Sequence, residues 1–252
     1  MASIVNWHAR FLQQASWTSS LRQYLFQKVL QNIYKPILEV GCGTGAIVKT
    51  LPQSLNCSII GIDLDFERIK FASTITQNTA AFACADAYSL PFASHSFSLT
   101  YCHFLFLWIA QPERALAEMK RVTCRGGWIM AMAEPDYNAR IDAPAELETL
   151  GRLQTEALRN QGVEPSRGRE LAGLFYNAGL ENIEAGILAA QWQIPGNQDA
   201  HEQEWAITAL DIQAYLSPDE LEEFRLKDKA AWTQGKRILY IPTFYAVGQM
   251  SR

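Results

Sequence analysis

Four side chains with useful chemistry stand where short apolar runs break off. Glu39 lies just before Gly41-Cys42-Gly43-Thr44-Gly45, Asp63 follows Ser58-Ile59-Ile60-Gly61-Ile62, Asp86 follows Ala80–Ala85, and His103 follows Phe97–Cys102. A fifth group, Glu134-Pro135-Asp136-Tyr137, follows Trp128–Ala133. A carboxylate accepts two hydrogen bonds side by side, which suits a diol or an exocyclic amine. A histidine can take a proton at neutral pH, and Glu134 offers a second candidate for that work. The glycines let the backbone adopt positive φ and let a ligand approach without a Cβ in the way. A helix N-terminus behind such a loop suits a carboxylate or phosphate. An ordinary strand–turn–helix corner has no need of three glycines in five residues with an acid two residues ahead.

The elements that must hold these residues follow from periodicity. Residues 3 to 34 read as two helices, with Thr18 or Ser19 as the second cap and Leu21, Leu25, Phe26, Val29 and Leu30 as its apolar stripe. Pro36 leads into a first strand. A helix is expected from Ala46 to Leu51, stopped by Pro52, and another from Phe66 to Thr76. Strands are expected at 58–63, 80–85, 97–102 and, after a Gly126-Gly127 turn, 128–133, with a helix opened by Pro112 through Arg121. Helical stretches follow at Pro144–Asn160 and Arg169–Ala178, the latter stopped by Gly179. Ile183–Ile194 reads as a strand ended by Pro195-Gly196. A further helical insertion contains the capping box Ser217-Pro218-Asp219-Glu220 and closes at Gly235. Thr243–Val247 is the last strand, with Pro242 at its entry. Strands alternating with helices predict an α/β fold with an open parallel sheet, and ligands then bind beyond the carboxyl ends of the strands.

Gly41-x-Gly43-x-x-Ala46 also meets the loose dinucleotide fingerprint, and Asp63 lies about 20 residues beyond Gly41, where a ribose-binding acid belongs. A nicotinamide-dependent oxidoreductase is therefore an alternative reading. Glu39 inside the strand and Asp86 after a third strand point elsewhere. In Glu39–Gly45, Gly61-Ile62-Asp63, Ala85–Phe92 and Arg121–Pro135 the chain resembles the class I S-adenosylmethionine (SAM) dependent methyltransferases.

The resemblance implies a doubly wound, Rossmann-like seven-stranded sheet, mostly parallel with an antiparallel last strand and helical lid insertions. It implies a single domain over 1–252: a helical cover at 1–34, a SAM-binding core at 35–138, and insertions at 139–163 and 197–235 over the acceptor. The cofactor would be SAM, leaving S-adenosylhomocysteine (SAH). Asp63 would take the ribose, and Asp86 and the Ala87 amide the adenine, with Leu64 and Phe92 on its faces. Gly41, Cys42, Gly43 and Gly45 would flank the methionine end, with Glu39 orienting the loop. His103 would face both cofactor and acceptor and, with Glu134, supply any general base. Trp17, Tyr24, Tyr137 and Arg140 are substrate-contact candidates, Arg140 for a carboxylate. A SAM-binding protein without turnover is the remaining alternative.

At 252 residues, 48% hydrophobic and 19% charged, the chain has the composition of one globular domain. A net charge of −4 with no basic run argues against nucleic acid. Five scattered cysteines, without a CxxC or a Cys/His pattern, predict no metal and reduced thiols packed in apolar surroundings. No apolar leader opens the sequence, and the run 97–110 is too short and polar to insert in a membrane, so a cytoplasmic protein is expected. The chain has Tyr101-Cys102-His103-Phe104 where nucleic-acid methyltransferases carry an Asn/Asp-Pro-Pro-Tyr/Phe motif. A small-molecule acceptor is the expectation, on O, N or C.

Overall fold

The computed structural model describes residues 4–51, 57–76, 80–188, 194 and 196–252. A seven-stranded sheet is built from β1 (Ile37–Val40), β2 (Ile59–Asp63), β3 (Ala81–Cys84), β4 (Phe97–Cys102), β5 (Thr123–Pro135), β7 (Glu181–Ile187) and β9 (Thr243–Gln249), in the order β3-β2-β1-β4-β5-β9-β7. β1 to β5 are parallel, and β9 runs antiparallel to both neighbours. The chain order reverses at β1, with β2 on one side and β4 on the other. That reversal opens a crevice at the carboxyl ends of the strands.

Alternate side chains of the buried strands feed two apolar layers. On one face, α2 (Ser19–Val29) sets Leu21, Leu25, Phe26 and Val29 against Ile37, Leu99, Tyr101 and Met130. On the other, α4 (Pro112–Val122) and α6 (Arg167–Asn177) pack Leu116, Met119, Leu171 and Phe175 against Leu38, Val40, Ile62 and Ile129. Each such side chain contributes roughly 1.5–3 kcal/mol on burial. α1 (Ile4–Trp17) lies across the strand ends, and α3 (Phe66–Ile75) is capped by Asp65, which accepts the Glu67 and Arg68 amides.

Several expectations are corrected. The segment after the glycine loop forms turns and a short 3-10 stretch, Val48–Thr50, in place of an α-helix. Between Gly45 and Pro52 there is room for only a turn or two, too little to propagate an α-helix. The Thr18 hydroxyl does not cap α2, because it is engaged by Arg22 and His103. Gly126-Gly127 does not start β5 but sits inside it, at a bulge between Phe97 and Leu99 pairing, with Gly126 at φ +70°. Residues 189–193 and 195, in the expected strand 183–194 and its stop, and Pro52 lie outside the described residues. Cys42, Cys102 and Cys124 are buried as expected, whereas Cys84 is exposed.

The insertions carry structure the sequence did not announce. β6 (Ile141–Ala143) and β8 (Ile238–Tyr240) pair antiparallel as a second small sheet. α5 (Glu148–Asn160), α7 (Gln198–Ile212) and α8 (Pro218–Thr233) gather around Leu147, Leu150, Ile212 and Ala231. The predicted capping box forms at Ser217 and Glu220. Ion pairs brace this unit, Arg140 with Asp142 (2.6 Å) and Arg237 with both Asp142 (2.9 Å) and Asp228 (2.6 Å), and His201 Nε2 hydrogen-bonds Asp228 (2.6 Å). Among the described residues no helix is long and apolar enough to cross a membrane.

Glu134, near the end of β5, ties the sheet to the turn beyond β4. Its carboxylate accepts the amides of Leu105 (2.9 Å), Phe106 (2.9 Å) and Leu107 (3.0 Å). Glu134→Gln replaces one acceptor oxygen by a donor facing the Leu107 amide. We expect a loss of about 1–3 kcal/mol, hence a fall in melting temperature of roughly 2–4 °C per kcal/mol, read by thermal unfolding. A variant that melts with the parent would show that the turn holds without this carboxylate.

Candidate active site

The loop after β1 is drawn back over the sheet, with the Gly41 and Cys42 amides both donating to Ile62 O at 2.8 Å. Gly41, Gly43 and Gly45 all take positive φ, of +74°, +51° and +75°. A Cβ on Gly41 would lie 2.6 Å from Leu105 Cδ1, so glycine is what lets this loop and the turn after β4 meet.

Asp63, at the end of β2, accepts the Gly43 amide on Oδ2 (2.8 Å) and the Asp65 amide on Oδ1 (3.0 Å). Each oxygen keeps a lone pair for a ligand. Asp86 accepts the Tyr88 amide on Oδ1 at 2.8 Å, and its Oδ2 has no partner among the described residues. Glu39 is 1% exposed, and its Oε2 accepts the Tyr101 hydroxyl at 3.0 Å. Burial pushes its carboxyl up to about 8, against the opposing Tyr101 hydrogen bond and the Arg22 charge.

These acids open on one cavity of about 720 Å³. Glu39, Gly41, Cys42, Gly43, Asp63, Leu64, Asp86, Ala87, His103 and Tyr137 all stand on its wall. Gly45 serves the turn and is not on the wall, and Phe92 packs edge-on against Phe97 in the core instead.

His103 reaches the cavity, but its Nε2 is hydrogen-bonded to Thr18 Oγ1 at 2.9 Å. Burial, helped by the Arg22 guanidinium, lowers it to about 3. It is thus a neutral, weakly basic imidazole at physiological pH, poorly matched to proton abstraction. No carboxylate among the described residues pairs with it. Glu134 gives its oxygens to the three backbone amides, lies off the cavity wall and is held up at about 7 by burial. The geometry makes Glu134 a support for the turn carrying Leu105 and Leu107, both of which line the cavity.

Three further expectations fall outside the cavity. Trp17 lies under the Arg10 guanidinium at 4.9 Å. Tyr24 is turned outward, its hydroxyl donating to Glu184 at 2.8 Å. Arg140 is consumed inside the protein by Asp142 and Gln154, so it is not free for a substrate carboxylate.

The sequence reading placed helical covers at 1–34, 139–163 and 197–235 but missed which residues of α1, α5 and α7 line the cavity. Trp7, Arg10, Phe11 and Gln14 of α1 line the cavity, as do Gln154, Leu158 and Gln161 beside them, and Gln203, Ile207 and Leu210 of α7. All three sets recur at three- or four-residue steps, so each is one helix face. The spacing was readable, but these faces mix polar with apolar residues and do not stand out as stripes. Arg10 bonds Glu204 at 3.0 Å and thereby ties α1 to α7 across the cavity.

Comparison with known proteins agrees with this geometry. The methyltransferase domain model matches residues 38–131. An uncharacterised methyltransferase of Schizosaccharomyces pombe is 31% identical over 215 residues, which are 80% of this chain and 73% of that protein. The 2-methyl-6-phytyl-1,4-hydroquinone methyltransferase of Synechocystis sp. is 28% identical over 171 residues, 63% of this chain and 50% of its own length. A solved phosphoethanolamine N-methyltransferase of Haemonchus contortus, in complex with phosphomonomethylethanolamine and SAH, matches with a TM-score of 0.57. It covers 91% of this chain and 53% of its own, and at 12% identity it shows the fold alone. With the sheet order and the acids at successive strand ends, the likeness over most of the yeast protein settles descent: this chain is an enzyme of the class I SAM-dependent methyltransferase family.

Proposed function

We propose that the protein moves the methyl group of SAM to a small-molecule acceptor held under α5 and α7. The observation that carries this reading is one continuous cavity of about 720 Å³ running from the glycine loop, Asp63 and Asp86 to the faces of those two insertion helices. Residues 1–34 act as a cover, and 139–163 with 197–235 as the lid. A cavity walled by α1, α5 and α7 suits a small acceptor better than a folded macromolecule.

The residues fit the cofactor by the chemistry of their donors and acceptors. Asp63, with a lone pair left on each oxygen, would hold the ribose diol. Asp86 Oδ2 would accept from the adenine amine, beside the Ala87 amide and the exposed side chain of Leu64. Glu39 would face the ammonium across the glycine loop, a charge that replaces the solvent it lacks. SAM, when bound, would supply an electrophilic methyl on a sulfonium sulfur, and a neutral thioether would remain as the leaving group. The chain's own work is mainly alignment and exclusion of water. His103, neutral and fixed by Thr18, orients the acceptor and accepts a hydrogen bond.

Three outcomes test this reading. Asp63→Ala should weaken SAH binding by about 1.5–3 kcal/mol, and Asp63→Asn by less; parental affinity by calorimetry would remove Asp63 from the ribose site. Glu39 is largely protonated near neutrality, since its carboxyl sits at about 8. An ammonium beside it favours the ionised form, so SAH binding at pH 7 should release a proton and the release should vanish above that value. Binding enthalpies in buffers of different ionisation heat read this directly, and Glu39→Gln should abolish it. Finally, His103→Gln should keep kcat within about tenfold and leave the neutral pH–rate profile unchanged. A loss of roughly 10²–10⁴-fold, the worth of positioned proton transfer, would restore a general-base role.

A further inference from the structure

The cavity wall also carries polar groups that the proposed SAM site does not use. Tyr137 packs its ring with Phe104, Leu107 and Leu158, and its backbone is fixed by the Pro165 carbonyl at 2.8 Å. Tyr137 lines the cavity, and its hydroxyl makes no hydrogen bond among the described residues. Asp211 of α7 stands on the same wall. Its carboxylate is presented by two side-chain amides of α5 and its end, Gln154 at 2.7 Å and Gln161. Gln154 is itself held by Arg140, whose guanidinium is locked to Asp142. Asp211 is therefore aimed by a chain of buried contacts reaching back into the β6–β8 brace. Such support is wasted on a solvated acid.

Resting on the methyltransferase reading above, we propose that Tyr137 and Asp211 form an anchor for an uncharged hydroxyl group on a largely apolar acceptor. A hydroxyl donates one hydrogen bond and accepts others, so it can satisfy the carboxylate and the phenol together. The phenol stays a donor across the working pH range, because burial pushes Tyr137 up to about 12. Charged groups satisfy the pair less fully. Arg10 acts on both Tyr137 and Asp211, as does Glu204, and Arg10 is already paired with Glu204. An anionic group would meet Asp211 with no uncommitted cation among the described residues of this wall, and a cationic one, which only donates, would pair with Asp211 but leave the Tyr137 hydroxyl proton without an acceptor. Around the pair, Leu158, Ile207, Leu210 and Trp108 supply the apolar wall for the rest of the molecule.

The test uses four probes on one ring system: naphthol, naphthoate, naphthylmethylammonium and naphthalene. Each is titrated by calorimetry into the full-length protein, first shown to bind SAH and then saturated with it. Naphthol should bind at least about tenfold more tightly than the other three, the usual worth of a satisfied buried hydrogen bond. Tyr137→Phe and Asp211→Asn should each remove about tenfold of that preference while SAH affinity and melting temperature hold. Tighter binding of naphthoate or of the ammonium, equal binding of naphthalene, no naphthol binding at all, or variants with parental naphthol affinity would overturn the anchor. Failure to bind SAH in the first step would instead sink the methyltransferase reading on which it rests.

Discussion

A carboxylate in the central strand of a buried sheet must find partners inside the protein, and Glu39 organises this molecule around that need. Stripping a carboxylate of water costs several kcal/mol unless hydrogen bonds or charges replace it. Register supplies them: Glu39 sits opposite Gly61 on one side and Tyr101 on the other. Tyr101 donates its hydroxyl, while Gly61 leaves space that a Cβ would take from Cys42 Sγ, 2.9 Å away, and the Phe82 ring. Arg22 of α2 adds a buried positive charge on the same face. The compensation is incomplete, and that is useful. The carboxyl remains high in pKa and ready to respond to a cation brought to the loop above it.

The same face explains the state of His103. Arg22 is held by the Ala15 carbonyl and by Thr18, and Thr18 in turn holds His103. A charge placed to steady Glu39 therefore opposes protonation of the imidazole. The two groups titrate in opposite directions from one cause, burial, with Arg22 favouring ionised Glu39 and neutral His103. An alignment mechanism follows more naturally from this arrangement than one with a proton store beside the methyl.

The strand ends were legible because they are local. Asp63 and Asp86 each close an apolar run, Glu39 interrupts one, and Gly41, Gly43 and Gly45 declare positive φ in their own types. The seven-stranded, mostly parallel sheet and its antiparallel last strand came with the family resemblance, and the structure agrees. Tertiary pairing was not legible. Nothing near Arg140 in sequence shows that Asp142 and Gln154 will consume it, and Glu134 looks reactive until three amides of a distant turn claim it. Asp211 was overlooked because it lies at the end of a helix whose polar and apolar residues are mixed on every face. The β6–β8 pair joins segments almost a hundred residues apart, and three-residue strands carry too little pattern to be read.

The brace of Arg140, Asp142, Arg237, Asp228 and His201 joins β6, β8, α7 and α8 without drawing on the strands that carry Glu39, Asp63 or Asp86. Under the proposed function, donor chemistry and acceptor choice therefore rest on separate foundations. Mutations on the inner faces of α5 and α7 can redraw the acceptor wall while the brace keeps those helices in place. A lineage built this way can change what it methylates by small steps, with the machinery for the donor left intact at each one.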